Sequence, residues 1–474
     1  MDESVDVRGQ QSAVSPATVV AVADADDDAS RGAWIPPAGR RFLRLSHSTF
    51  LQGSVFLLAS TLMASAGNYL FNVIAGRALG PDTYGALAAL VSLLYLMATP
   101  SLAMQTLAAR EVARLRAVGG AARGDAAGSQ FHRWAMVIGL VVALLFAALG
   151  VPLDRVMDLG SPWPMPVIGV VGGAAVAAST LRGVLQGRGE FGKLALTMIA
   201  DPVARLLALI VLLVLGLRFG AGLGAFVLSG ASVYALAALL VRRGRGVGAE
   251  FSTDSGVGAA PRATWRTVGP YVLIAALTTV LYSVDMLVAR ATLPEHEAGI
   301  YAAVALLGRA LYFVGAAASM VMLPLVTRQV TRGADHRQVL VQSLGFVAVL
   351  SGAGLLAYLL VPGLIVNVTY GRAFEELEAN LFLMGLAMSL FAVAYIAVSY
   401  LIALGRWRML ITVAAVGVLQ MALLGEFHGS VREIVLVQLA VMASLNLAVW
   451  PFALAGNRPQ RTLADPQATR GDGR

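Results

Sequence analysis

The 474 residues carry 58% apolar and 13% charged side chains, with a mean hydropathy of +0.75, a formal net charge of +8 and no cysteine. Soluble domains have about a quarter of their residues charged, so this composition excludes a water-soluble enzyme or binding module, and the absence of thiols excludes disulfides and thiolate metal sites. What remains is a polytopic membrane protein.

The first 48 residues lack the apolar core of a cleavable signal peptide and carry Asp24, Asp26, Asp27 and Asp28 ahead of Arg40, Arg41 and Arg44; they read as a disordered cytoplasmic tail. A helix crosses hydrocarbon with about 20 apolar residues, and twelve runs of that kind follow. They span Phe50 to Gly76, Tyr84 to Met104, Trp134 to Pro152, Pro166 to Leu185, Leu194 to Gly216 and Gly222 to Val241, then Val268 to Ala289, Gly299 to Leu323, Val339 to Val361, Asn380 to Gly405, Leu410 to Gly425 and Ile434 to Gly456. Long unalternating runs must satisfy their backbone internally, so they are helices and not barrel strands, and the expected fold is all-α. The expected organisation is an N-lobe over residues 49–241, a cytoplasmic linker over 242–267, a C-lobe over 268–456 and a cytoplasmic tail over 457–474.

Loop charge orients the chain. With the N-terminus in the cytoplasm, the cytoplasmic loops and helix ends hold Arg110, Arg114, Arg116, Arg123, Arg133, Arg182, Arg188, Lys193, Arg242, Arg243, Arg245, Arg262, Arg266, Arg328, Arg332, Arg337, Arg406 and Arg408. The opposite loops hold only Arg77, Arg155, Arg218, Arg290, Arg372 and Arg432. The positive-inside rule then places both termini in the cytoplasm, in a multi-pass protein of the cell inner membrane. The net positive charge is a topology signal that favours anionic membrane lipids as neighbours, not nucleic acid.

"NVIAGRALGPD" from Asn72 and "DMLVARATLPE" from Asp285 align at a constant spacing of 213 residues, pairing Asn72 with Asp285 and Arg77 with Arg290. After one inserted residue "YGALAA" from Tyr84 meets "AGIYAA" from Ala298, and a weaker echo pairs Gly187 and Arg188 with Gly405 and Arg406. Both copies start on the same side of the membrane, which implies a parallel repeat about an axis along the membrane normal. Thr61, Ser65, Asn68 and Asn72 fall on one face of the first helix, and Tyr271, Thr278, Tyr282 and Asp285 on one face of the seventh. Interhelical hydrogen bonding and the lining of a wet cleft both explain such stripes.

Charge inside the hydrocarbon costs at least ~2.5 to 3.5 kcal/mol per residue on insertion scales, so ionised side chains there face a cavity or a partner. Arg309 lies ten residues into its helix, about 15 Å deep, with Tyr312 and Ser319 on the same face. Asp285 is five residues from Arg290, the wrong spacing for an intrahelical pair, and Arg309 on the next helix is its expected partner. Arg77 and Arg290 sit at helix ends, where headgroups are in reach. Asp201 and Arg205, four residues apart, are expected to neutralise each other, and Arg182 to snorkel.

"GRGEFGKL" from Gly187 imitates GxGxxG and part of a phosphate-binding loop, but has Leu194 where the loop needs Ser or Thr, and no strand precedes it. His47, His132, His296, His336 and His428 stand singly, without metal-ligand spacing. Asn367, Val368 and Thr369 form a sequon that carries no weight alone, and no nucleophile and base pair is found. The sequence therefore gives no catalytic residues, no metal site and no resident cofactor, and the protein is not expected to be an enzyme.

The stretches "NYLFNVIAGRALGPDTYGALAALVSLLYL" from Asn68, "LQGRGEFG", "LYSVDMLVARATLPEHEAGIYAAVALLGRAL" and "MLPL" resemble the polysaccharide-biosynthesis (O-antigen-type) flippases of the multidrug, oligosaccharidyl-lipid and polysaccharide exporter superfamily, over about residues 46–456. The resemblance implies twelve helices in two lobes around a cleft. It also implies alternating access that carries an undecaprenyl-diphosphate-linked oligosaccharide to the outer leaflet of a bacterial membrane, working with polysaccharide polymerases and glycosyltransferases. Ion coupling, by H+ or Na+, is implied for some members. On that pattern Arg309, Arg77 and Arg290 would contact the lipid-linked phosphate, Asp285 would couple or gate, and Asn68, Asn72, Thr278 and Tyr282 would line the cleft. This chain has few deep arginines for such a cleft. Two alternatives stand beside this one: a multidrug exporter of the same superfamily, with an acidic and aromatic cleft, and a membrane-embedded polysaccharide polymerase or ligase, which would need a larger outer loop than residues 362–379 provide.

Overall fold

The computed structural model describes residues 49–243, 265–331 and 334–455. The expected tails and most of the linker, with Arg245, Arg262 and Arg332, lie outside the described residues. Twelve long helices make up almost all of what is described: α1 (Thr49–Leu79), α2 (Pro81–Arg116), α3 (Gly120–Ala148), α4 (Pro164–Gly187), α5 (Phe191–Val214), α6 (Arg218–Arg243), α7 (Trp265–Thr292), α8 (Glu295–Thr331), α9 (Arg337–Leu360), α10 (Glu378–Ala403), α11 (Met409–Glu426) and α12 (Val431–Ala455). Eleven of these contain stretches long and apolar enough to cross a membrane. In α1 the polar residues Thr61, Ser65, Asn68 and Asn72 interrupt the apolar run. This is an all-α, multi-pass membrane protein. Its lipid-facing surface is apolar, with Val214, Ile411, Leu447 and Val349 among the most exposed side chains.

Two stretches differ from the sequence expectation. The stretch expected as a loop between the second and third helices is helical on both sides of a break at Gly120, whose φ of 76° suits glycine. Local ion pairs sustain those extensions beyond the apolar runs: Arg114 with Glu111 one turn away, and Arg116 with Asp125 at 3.3 Å across the break. The stretch over 362–379 folds as a short helix, Pro362–Thr369, and a 3-10 turn, Arg372–Leu377, which bury Tyr370 and Phe374.

The packing repeats. Within residues 49–243, α2 packs on α4, α4 on α6, α6 on α5, α5 on α1 and α1 on α2; within 265–455, α8 packs on α10, α10 on α12, α12 on α11, α11 on α7 and α7 on α8. These are two lobes of six helices with equivalent internal order. They meet through α2 against α7 and α8. At this seam Gly85 and Gly299, equivalent in the repeat, touch directly: a Cβ on Gly85 would stand 2.8 Å from the Gly299 amide nitrogen, and one on Gly299 would overlap the Pro81 carbonyl. Equivalent residues in contact mark the pseudo-twofold axis. The weaker echo shifts by two residues, because the left-handed turn residues are Gly189 (φ 74°) and Gly405 (φ 67°).

The contacts between lobes gather at the end where α1 turns into α2 and α7 into α8, here the hairpin end. Arg290 donates to the Met157 carbonyl at 2.9 Å and to that of Asp158, whose φ of 43° terminates the short helix Gly150–Met157. Arg77 donates to the Val368 carbonyl at 3.1 Å, His296 meets Asp82 at 2.8 Å, and the Tyr84 and Tyr370 hydroxyls lie 3.2 Å apart. Residues 84–93 of α2 and 298–308 of α8 are buried there, whereas further toward the opposite, tail end both helices become partly exposed. The lobes are closed at the hairpin end and part toward the tail end.

Candidate functional site

The site lies where the closed part of the seam gives way to the open part. On α8, Arg309 is 3% exposed, and on α7 Asp285 is fully buried. The Arg309 Nη2 donates to Asp285 Oδ1 at 2.9 Å and to the Tyr282 carbonyl at 2.6 Å, while its guanidinium carbon lies 4.4 Å from the centre of the Tyr282 ring. The Tyr301 hydroxyl donates to the other carboxylate oxygen at 2.6 Å. The pairing suggested by sequence is thus present and joins adjacent helices of one lobe. A buried ion pair of this kind needs such extra hydrogen bonds to offset desolvation. Its satisfaction is incomplete, since Arg309 Nε is buried without a partner among the described residues.

A gap of about 10 Å³, room for roughly one water, adjoins Arg309 between the lobes, lined by Asn72, Tyr84, Ser92 and Tyr95 from the N-lobe. Asn72 uses its amide nitrogen on the Asn68 carbonyl at 2.8 Å and faces the Tyr84 hydroxyl at 3.5 Å. From Tyr282 an aromatic chain runs toward the tail end through Tyr312 (5.4 Å) to Phe391 (4.7 Å) and Tyr395 (5.5 Å). Thr278 turns its hydroxyl back onto the Ile274 carbonyl at 2.8 Å. The side chain of Tyr271 lies outside the described residues.

The N-lobe contributes a second charged cluster. Asp201 accepts from Arg205 Nη2 at 2.6 Å through Oδ1 and from Arg182 Nη2 at 3.5 Å through Oδ2. Arg205 also donates to the Asn68 side chain of α1 and lies 4.3 Å from the centre of the Phe226 ring. Arg182, expected to snorkel, instead gives Nη2 to the Thr197 carbonyl at 2.9 Å and to the Asp201 carboxylate at 3.5 Å, both acceptors on the neighbouring α5. One carboxylate therefore stands against two guanidinium groups. Tyr95 of the N-lobe lines the gap beside Arg309 and packs on the Tyr282 ring at 6.0 Å.

Sequence reasoning found Arg309 and Asp285 but treated Arg205 as self-neutralised. The usable signal was Asn68: a polar residue on the wet face of α1 needs a donor, and Arg205 supplies it. Arg77 and Arg290, expected as phosphate contacts, are placed at the hairpin end on interlobe carbonyls. Among the described residues no group of three His, Asp or Glu side chains could hold a metal ion.

No protein-family model matches the chain, and neither does any curated protein sequence. Its fold matches solved transporters. An inward-facing multidrug resistance MATE family transporter of the MOP superfamily superposes with a TM-score of 0.64 at 14% identity, over 87% of this chain and 100% of that one. An outward-facing one gives 0.58 at 13% identity, over 87% and 96%. A MOP superfamily transporter from Pyrococcus furiosus Vc1, described as having a binding pocket whose reverse polarity suggests a different function, gives 0.57 at 14% identity, over 87% and 98%. At these identities the likeness is one of fold.

Proposed function

We propose that this chain is a non-enzymatic transporter that moves a lipid-linked, undecaprenyl-diphosphate-type oligosaccharide from the inner to the outer leaflet by alternating access. The observation that carries the reading is Arg309, buried on α8 beside a gap that Asn72, Tyr84, Ser92 and Tyr95 of the opposite lobe line, with Arg205 of that lobe held on Asn68 of α1. A diphosphate bearing sugars cannot cross hydrocarbon alone, and guanidinium groups meet its oxygens with charge-assisted, often bidentate bonds. The aromatic chain from Tyr282 to Tyr395 offers ring faces for sugars, and the lipid tail stays outside the cleft.

By the positive-inside rule the tail end faces the cytoplasm, so the state described opens inward. On this reading Asp285 holds Arg309 while the cleft is empty, and an entering diphosphate competes for the same guanidinium. A proton taken by Asp285 would release Arg309, which gives the carboxylate its coupling role. Arg77 and Arg290 hold interlobe carbonyls while the outer side is closed, and opening that side would free them to meet the departing phosphate.

The test is glycan export in a strain lacking the native gene, with membrane abundance measured alongside. Arg309→Lys keeps the charge without the planar fork and should export partially, and Arg309→Ala should not export. Normal export by an abundant Arg309→Ala would overturn the phosphate assignment. A multidrug exporter is the second reading, favoured by the aromatic chain beside Asp285. It predicts resistance to cationic drugs that depends on Asp285 and not on Arg309 or Arg205.

A further inference from the structure

Away from the cleft, the tail-end part of the N-lobe contains a cavity of about 460 Å³ between α3, α4 and α6. No residue of α1, α2, α7 or α8 lines it, so it is separate from the transport path. Arg133 on α3, Arg188 on α4 and Arg242 on α6 converge on it with Asp125, His132 and Tyr234.

Arg188 is structural. It is buried, gives Nη1 to the Val241 carbonyl at the end of α6 at 2.8 Å, and pairs with Asp125 at 2.9 Å. The C-lobe makes a bond of the same kind, from Arg406 Nη1 to the Phe452 carbonyl of α12 at 3.2 Å. Asp125 also takes Arg116 at 3.3 Å, so its single negative charge is shared by two arginines. Arg133 and Arg242 are exposed at the mouth, with no ion pair to any described acidic residue. The cavity is thus cationic beyond what its one carboxylate offsets. His132 and Tyr234, hydrogen-bonded at 3.1 Å with stacked rings, form a polar wall.

Its depth and surroundings choose the ligand. The apolar run of α3 begins at Trp134, that of α4 stops near Leu185 and that of α6 at Val241. The three arginines therefore stand just outside the hydrocarbon, at headgroup level. Below Arg133, the side chains of Trp134, Val137, Val141 and Leu144 follow at helical spacing and are all more than half exposed. A basic pocket whose Arg133 stands at the head of an apolar stripe matches an amphiphile whose anionic head binds between helices and whose chains lie along α3.

We infer that this cavity binds the phosphate headgroup of an anionic phospholipid of the same leaflet, gripped by Arg133 and Arg242 over the Arg188 and Asp125 floor. A lipid held across α3, α4 and α6 would brace the N-lobe.

The test uses the purified full-length protein, with thermal unfolding and native mass spectrometry in the presence of phosphatidylglycerol, phosphatidylcholine or inorganic phosphate. Phosphatidylglycerol should remain bound and raise the melting temperature above its value with phosphatidylcholine, and phosphate alone should do neither. In Arg133→Gln/Arg242→Gln the apparent affinity for phosphatidylglycerol should fall roughly tenfold or more, with the response to phosphatidylcholine unchanged as the control for folding. Arg155→Gln/Arg432→Gln, which removes the same charge from the opposite end, should behave as wild type. Equal stabilisation by the two lipids, or an unchanged affinity in the Arg133/Arg242 variant, would overturn the inference. A shift with inorganic phosphate that the lipid does not exceed would also overturn it, by assigning the site to a free oxyanion.

Discussion

Tyr95 and Arg309 stand ten residues beyond Gly85 and Gly299, the pair in contact at the pseudo-twofold axis, and both pack on the ring of Tyr282, at 6.0 Å and 4.4 Å. The repeat is therefore kept in geometry and broken in chemistry at the apex of the cleft. One lobe places a cation on its second helix and the other a phenol. The N-lobe brings its own cation from its fifth helix, where Arg205 reaches Asn68 on α1. In the C-lobe Gln420 reaches from α11 to the Leu281 carbonyl of α7 at 3.1 Å, and Leu281 is the repeat equivalent of Asn68. The same bridge is charged in one lobe and neutral in the other.

Breaking the Asp285 and Arg309 pair from one side should cost more than removing it whole. A buried charge stripped of its partner destabilises by about 3–5 kcal/mol, whereas an apolar replacement of both partners is often neutral. Arg309→Met should therefore lower the melting temperature in detergent, and Asp285→Leu/Arg309→Met should recover most of the loss. Both variants should fail to export. A double variant no more stable than the single one would show that the pair does not act as a unit.

Arg205→Gln would give the N-lobe the neutral bridge of the C-lobe. Glutamine keeps a donor for Asn68, and Arg182 remains to neutralise Asp201, so membrane abundance should stay near wild type. Export should fall because the polar face of α1 loses the cation held on Asn68. Wild-type export by this variant would return Arg205 to a purely structural role.

The hairpin end should behave as a gate. Hydrogen bonds from a charged donor contribute about 1.5–3 kcal/mol each, so Arg290→Ala should shift the balance toward the open form roughly tenfold or more. Gly299→Val, which forces a side chain onto the Pro81 carbonyl, should act in the same direction. The absence of cysteine allows a direct reading. A short bifunctional thiol reagent should bridge Asp82→Cys and His296→Cys, whose native side chains meet at 2.8 Å, readily in the parent and less readily in either variant. Unchanged cross-linking in both would contradict the gate.

Orientation is tested on the same background. Single cysteines introduced after Arg123 or after Arg262 should be shielded from membrane-impermeant reagents in intact cells, and one after Glu297 should be labelled. Labelling of the Arg262 site from outside would reverse the assignment of the tail end to the cytoplasm.

The twelve helices, the parallel repeat and the Asp285 and Arg309 pair were legible in the sequence, because hydrocarbon forces long apolar runs into helices and makes every deep charge conspicuous. The helical extensions around Gly120 were not, since their support comes from ion pairs such as Arg116 with Asp125 and not from hydropathy. The expected pairing of Arg205 with Asp201 is present at 2.6 Å, but it is only part of that side chain's bonding. Spacing on α5 identifies Asp201 as its partner, but only tertiary packing shows that Asn68 takes a second hydrogen bond and that Arg182 competes for the carboxylate. Tyr370 and Phe374 escaped notice because they lie in a stretch that reads as a loop yet closes the seam between lobes.

The most direct measurement is transport by purified protein in proteoliposomes, comparing an undecaprenyl-diphosphate-linked oligosaccharide with a cationic dye for wild type and Asp285→Leu/Arg309→Met. Wild type should move the lipid-linked glycan and not the dye, and the folded double variant should move neither. Glycan transport that persists without Arg309, or transport of the dye alone, would contradict a cleft built for an anionic lipid-linked substrate.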